Sequence, residues 1–248
     1  NCLSFDQPVH VLQPVGFDGK GKPMEVIEAI AEYCISQMRK VQPRGPYRLV
    51  GFCVGGIIAF EMAQQLIAAG EEPPLLALVE TWHPRSVPAV NGAPAAVQPL
   101  IFLIRGLARH LIAPRHLRFR EAVRYWRDNS TIIKEMILQR DVYRGDRFKR
   151  YTILLYTANC RAGSRYIPAP YPGHVLVYLA GNLKVDAEFE TRLTWCELAR
   201  GGHEVFEMPA ADFKQLLKRP HVKILADNLS DRLRKIAPVA PAVRTPID

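Results

Sequence analysis

The sequence has no cysteines at metal-finger spacing, no internal repeat and no apolar run long enough to cross a bilayer. Its five cysteines, Cys2, Cys34, Cys53, Cys160 and Cys196, lie far apart with no CxxC among them. That spacing excludes the common zinc patterns, and no metal is expected. The scatter fits a reducing compartment better than a disulfide framework, and no secretory leader opens the chain, so a soluble cytoplasmic protein is expected. Acidic residues are the minority, 24 against 33 basic ones, for a net charge of +9. Such a balance can serve nucleic acid, but no basic-aromatic motif of that kind is present. An acidic protein partner or an anionic substrate is the better expectation, with neither nucleic acid nor membrane as partner.

What is there is a chain of 248 residues, 48% hydrophobic, enough for one medium α/β domain carrying an inserted piece. Pro8–Gln13 reads as a strand and Gly16–Gly21 as a polar loop. Between Pro23 and Arg39, apolar residues recur at helical spacing: Val26, Ile27, Ile30, Ala31, Cys34, Ile35 and Met38. Leu75–Val79 and His174–Ala180 are continuous apolar runs, as buried parallel strands require. Further helices are expected over Tyr151–Cys160, Glu188–Arg200 and Val222–Ile236, with a last short strand at Glu204–Met208. Ile167–Gly173, rich in proline, reads as extended and stiff.

The middle differs. After a Pro/Ala-rich stretch from Pro88 to Pro99 come arginine-rich helical segments, Leu100–Leu111, Arg118–Asn129 and Ser130–Arg140. The division expected is therefore a core over 1–85 and 151–237, a helical lid over 86–150 and a flexible tail over 238–248. The lid arginines (Arg105, Arg109, Arg115, Arg118, Arg120, Arg124 and Arg127) suit either a solvated helix face or the docking of an acidic protein partner or of a negatively charged substrate group.

The chemistry concentrates in Gly51-Phe52-Cys53-Val54-Gly55-Gly56. It follows the strand-like Tyr47–Val50 and leads into Ile57–Leu66, which reads as an amphipathic helix. Strand, Gly-x-nucleophile-x-Gly, helix is the nucleophile elbow of α/β-hydrolases, with cysteine in the nucleophile's place. Flanking glycines let strand and helix approach without Cβ clashes. The helix N-terminus directs free N–H groups and its positive dipole end at the side chain, which favours a thiolate. The plainer reading is a buried structural cysteine in a glycine-rich turn.

Several stretches together resemble a type I thioesterase domain, the releasing domain of nonribosomal peptide and polyketide synthases. They are Asp6–Val9, Gly45–Gly56, Ala59–Ala63, Pro170–Gly173 and Arg219–Val222. The resemblance implies an α/β-hydrolase fold, a mostly parallel sheet with a helical lid. It implies a substrate delivered as a thioester on the phosphopantetheine arm of an upstream carrier protein, with no cofactor of the domain's own. It also implies an early strand, expected upstream of residue 1, whose loop supplies the second oxyanion donor. The first donor would be the backbone N–H of Val54.

Three departures from the family pattern matter. Cys53 replaces serine, as in the subgroup of the sulfazecin and obafluorin synthetase thioesterases, which close strained four-membered rings. A thioester intermediate stays more activated than an oxygen ester, so a strained internal attack remains feasible. Glu80 stands where the family has Asp, and the longer side chain can still orient a base; a solvated strand-end Glu is the plainer alternative. The family histidine is absent, with Phe213 on its position. His83, just beyond Glu80, is the best-placed substitute. His203 precedes the last strand and should lie far from the strands' carboxyl ends. A site with no histidine base also stays open. His10, His174 and His221 read as structural, His110 and His116 belong to the lid, and Trp82 and Trp126 read as core. The expectation is a thioesterase using Cys53, Glu80, His83 and the Val54 N–H to release an acyl chain by cyclisation. Hydrolytic release, or a catalytically degenerate module that only binds a carrier protein, are the alternatives.

Overall fold

The computed structural model describes residues 8–15, 21–84, 123, 155, 158–180, 187–209 and 213–235. The chain divides into two compact units, Asn1–Ser86 with Ala158–Asp248, and Val87–Thr157. In the second unit only the helical Val123 and Leu155 are described, so apart from Val123 the expected lid helices lie outside the described residues. The tail after 235, Trp126 and the lid histidines and arginines do too.

The first unit is built on a four-stranded parallel sheet in the order β1 (Arg48–Phe52), β2 (Leu75–Val79), β3 (Val175–Ala180), β4 (His203–Met208). The helices are α1 (Ile27–Val41), α2 (Val54–Ala68), α3 (Ala187–Leu198), α4 (Phe213–Leu216) and α5 (His221–Lys235). A further helical stretch covers 158–165.

The apolar runs of β2 and β3 are explained by burial on both faces. Leu76, Leu78, Val175, Val177 and Leu179 enter a core shared with α1, α2 and α3. The alternating residues Ala77, Val79, Leu176, Tyr178 and Ala180 enter a second core with Leu216, Leu225, Leu229 and Leu233 of α4 and α5. The result is three layers, helix on sheet on helix. The buried stripe of α1, Ile27, Ile30, Ala31, Cys34 and Ile35, follows the 3.6-residue period. The helix ends at Gln42, whose extended backbone is what the following Pro43 favours.

Two expectations need correction. Pro8–Gln13 forms no strand: it is irregular, with Val9 55% and Val11 89% exposed. An alternating apolar pattern becomes a strand only when a ladder partner covers one face, and these valines face solvent. The expected helix to Cys160 in fact continues to residue 165, because Ala162 and Tyr166 beyond it enter the first core.

The glycines around Cys53 also divide differently from expectation. A Cβ on Gly51 would collide with the backbone of Gly55 and Gly56, and one on Gly56 with the side chain of Thr81. A Cβ on Gly55 would meet nothing within 4 Å. The close approach therefore rests on Gly51 and Gly56, not on Gly55.

Three buried tyrosines fasten the layers. Tyr166 donates to Glu61 of α2 (2.6 Å), Tyr171 to the Pro74 carbonyl (2.5 Å) and Tyr178 to Asn228 of α5 (2.8 Å). Burial raises the pKa of all three, that of Tyr178 to about 12. A phenol whose folded pKa lies above its usual 10 contributes stability fully below pH 10 and loses it as pH rises through the folded value.

In chemical denaturation, Gly51→Ala is expected to cost about 1–3 kcal/mol through overpacking, and Gly55→Ala to be neutral or to gain up to about 1 kcal/mol. In an alkaline titration followed at 295 nm, part of the phenolate signal of the nine tyrosines should appear only together with loss of near-UV circular dichroism, between roughly pH 10 and 12.

Candidate functional site

The sheet register brings the sequence-predicted residues to one end. Phe52 of β1 pairs with Val79 of β2, and Val79 with Tyr178 of β3, so Cys53 and Glu80 are each the first residue past a strand end. The ladder continues beyond the strands: Cys53 N–H donates to the Val79 carbonyl and Glu80 N–H to the Tyr178 carbonyl, both at 2.9 Å. Neighbouring strands lie about 4.8 Å apart, so the two backbones are adjacent.

Both residues hold strained conformations. Cys53 has φ 53° and Glu80 φ 49°, and among the described residues they are the two non-glycines at positive φ. Each such residue costs of order 1–3 kcal/mol and persists only where its surroundings over-determine it. Cys53 is the N-cap of α2, and its carbonyl accepts the Gly56 N–H at 3.0 Å. Val54 opens the helix, so its N–H is one of the four that helix geometry leaves without an intrahelical acceptor. An anion beside Cys53 would meet that N–H and the positive end of the helix dipole.

Exposure separates the two. Cys53 is half-buried, whereas Glu80 is 4% exposed and accepts the Ala180 N–H through Oε1. The carboxylate is thus held from below by β3 and does not float at a strand end, contrary to the solvated alternative. Sequence reading did not identify the Ala180 N–H as its partner, because only the register reveals it.

The histidines fall into three places. His83 is 1% exposed, its ring edge-on to Trp195 of α3 with centroids 4.8 Å apart. His203 opens β4, level with Val175, Leu76 and Leu49, four steps before Cys53 and three strands across. At 3.3 Å per residue and 4.8 Å per strand the separation is about 20 Å. His174 lies just before β3 at that same far end, near Glu204, which also pairs with Arg232 (2.7 Å). α5 runs back along the sheet, with Asn228 at Tyr178 and Arg232 at Glu204, so His221 at its start lies toward the carboxyl ends. The run from Pro209 to Leu216, which leaves β4 at the site's end, contains no histidine. Phe213 begins α4 there, and residues 210–212 lie outside the described residues.

Trp82 packs against the first core, its ring 3.0 Å from where a Cβ on Gly163 would sit, consistent with a core role. Among the described residues no cluster of His, Cys, Asp and Glu is suited to a metal, and no helix is long and apolar enough to cross a membrane.

A family model described as the thioesterase domain matches residues 3–139. The chain is 38% identical over 87 residues to malpibaldin synthetase of Mortierella alpina, a match covering 35% of this chain and 2% of that protein's length. Among solved structures, holo-AB3403, a four-domain nonribosomal peptide synthetase bound to AMP and glycine, aligns with a TM-score of 0.62 at 24% identity, over 91% of this chain and 17% of that one. The NocB thioesterase domain from the nocardicin cluster aligns with a TM-score of 0.58 at 20% identity, over 89% and 79%. These likenesses show the fold, which is that of the α/β-hydrolases.

The thiols give a direct check. Burial raises the pKa of Cys34 and Cys196, leaving less thiolate near neutrality, while Cys53 is half-buried at a helix N-terminus. Iodoacetamide at pH 7.5 should modify Cys53 before Cys34 and Cys196, as read by peptide mapping.

Proposed function

Because the chain belongs to the thioesterase domain family, we propose that it releases a peptidyl or acyl chain from a nonribosomal-peptide-synthetase carrier protein through a covalent bond to Cys53. The observation that carries this reading is the pair of positive-φ residues, Cys53 and Glu80, side by side past the ends of β1 and β2. Strained residues cluster at active sites, and these two bring a half-buried thiol and a buried carboxylate to adjacent strand ends, which supports a nucleophilic site.

In this reading the Cys53 thiolate attacks the carbonyl carbon of the incoming thioester. The oxyanion that forms accepts the Val54 N–H. The C–S bond to the phosphopantetheine arm breaks, and its thiolate leaves with a proton supplied by the base. An amine or hydroxyl of the acyl chain then attacks the Cys53 thioester and gives up its proton, and a ring departs while the thiol is restored. The subgroup with a cysteine nucleophile, and closure of a strained lactam or lactone, belong to this proposal. Glu80 supplies the fixed negative charge that steadies a protonated base. His83 takes the role of base, following Glu80 by three residues at the same end of the sheet.

Support for the carrier-bound substrate comes from the relatives' names, since malpibaldin synthetase and the dimodular nonribosomal peptide synthase of Bacillus subtilis both match this chain. The match to the second covers 54% of this chain and 6% of that protein.

Intact-protein mass spectrometry after offering a short acyl-pantetheine thioester should show one acyl adduct, lost in Cys53→Ala. A product mass without added water marks cyclisation, and one with water marks hydrolysis. The absence of any adduct, even from a carrier-bound chain, would hand the reading to a binding module. His83→Ala is expected to slow loading at least about tenfold, as loss of a general base does, with His203→Ala close to wild type. Equal, near-native loading in both would remove His83, and a slow His221→Ala would move the role there.

A further inference from the structure

The segment Glu80–His83 carries two of the three proposed catalytic side chains, yet it lies past the end of β2, outside the sheet. One side chain from 114 residues away reaches into it. The indole N–H of Trp195, on α3, donates to the Thr81 carbonyl at 3.1 Å. The same ring meets His83 edge-on, with centroids 4.8 Å apart and planes at 63°. It also meets Phe60 of α2 at 4.7 Å and 48°. Phe60 lies seven residues past Cys53 on α2, about two helical turns. A single fully buried indole therefore touches the helix behind the nucleophile, the turn that carries the acid and the histidine.

From this arrangement we infer that Trp195 is a positioning residue for acyl transfer, fixing the Glu80–His83 turn against the helix of Cys53. The inference rests on the reading of Cys53, Glu80 and His83 given above. Two physical points separate it from ordinary space-filling. The carbonyl it holds belongs to Thr81, directly after a residue at positive φ, so the indole N–H helps keep Glu80 in a conformation it would otherwise leave. The Thr81 side chain in turn packs where Gly56 has no Cβ, so the turn and the first turn of α2 are in direct contact. Displacement of the turn would move the elbow and the acid relative to each other. Misplacement by about 1 Å is enough to cost on the order of a hundredfold in rate.

The experiment compares wild type with Trp195→Phe, which keeps a ring but loses the donor, and Trp195→His, which keeps a ring N–H. Phe60→Leu serves as control, loosening the same packing with the indole intact. Single-turnover acylation of Cys53 by an acyl-pantetheine thioester is measured against substrate concentration, alkylation of Cys53 by iodoacetamide at fixed pH, and folding by circular dichroism. Trp195→Phe should lower the saturating acylation rate by about tenfold or more with little change in half-saturating concentration, and slow alkylation as well. Trp195→His should recover part of the loss, and Phe60→Leu should stay within about threefold of wild type.

Folded Trp195→Phe within about twofold of wild type in both assays would overturn the inference and leave the covalent reading intact. If wild type forms no adduct, the covalent reading falls and the acyl-transfer role of Trp195 falls with it, whatever the alkylation rate. If Trp195→Phe does not fold, the order of the other two decides. Trp195→His slower than Phe60→Leu supports the role, and the reverse order overturns it.

Discussion

The candidate site depends on the parallel register of β1, β2 and β3. Two backbone hydrogen bonds just past the strand ends, Cys53 N–H to Val79 and Glu80 N–H to Tyr178, keep the thiol's backbone and the carboxylate's backbone in step. A slip of one residue in either pairing would reverse the faces of the strand and separate the two groups. The register is in turn pinned by burial on both sides of β2 and β3, where alternate residues belong to different cores. The hydrophobic effect thus sets the geometry of the site at a distance, through strands that carry no chemistry themselves.

Strain is the second ingredient. Positive φ at Cys53 and Glu80 is tolerated because each is enclosed by contacts that would be lost on relaxation: the Gly51 and Gly56 approach for the first, the Tyr178 carbonyl and Ala180 N–H for the second. The strand–turn–helix crossing is too tight for a side chain at Gly51, and Thr81 fills the space a side chain on Gly56 would need, so the turn cannot open without unpacking α2 from β1. The backbone holds residue 53 in place whichever atom, sulfur or oxygen, completes its side chain.

Much of this was legible in the sequence, and for identifiable reasons. Leu75–Val79 was read to its ends because a five-residue apolar run bounded by Pro74 and Glu80 has few other uses. The elbow was legible because its glycines and its neighbours point to one crossing. Pro8–Gln13 misled because alternation describes a side-chain pattern and says nothing of whether a ladder partner exists. Gly55 misled because a glycine motif does not reveal which member is sterically required. The Ala180 N–H under Glu80 and the indole over Thr81 were invisible for one reason: both contacts join residues at least 100 positions apart. Trp195 itself offered no local signal, sitting in a helix of ordinary composition.

The neighbouring glycines of the elbow separate two tasks that many sites combine. Gly51 and Gly56 are committed to the fold, while Gly55 looks onto open space two residues from the thiol. A Cβ introduced there would enter that open space without touching the sheet. Under the function proposed above, side chains added at this glycine could only crowd the space beside the thiol, never enlarge it, which makes the position a natural starting point for excluding bulkier acyl chains.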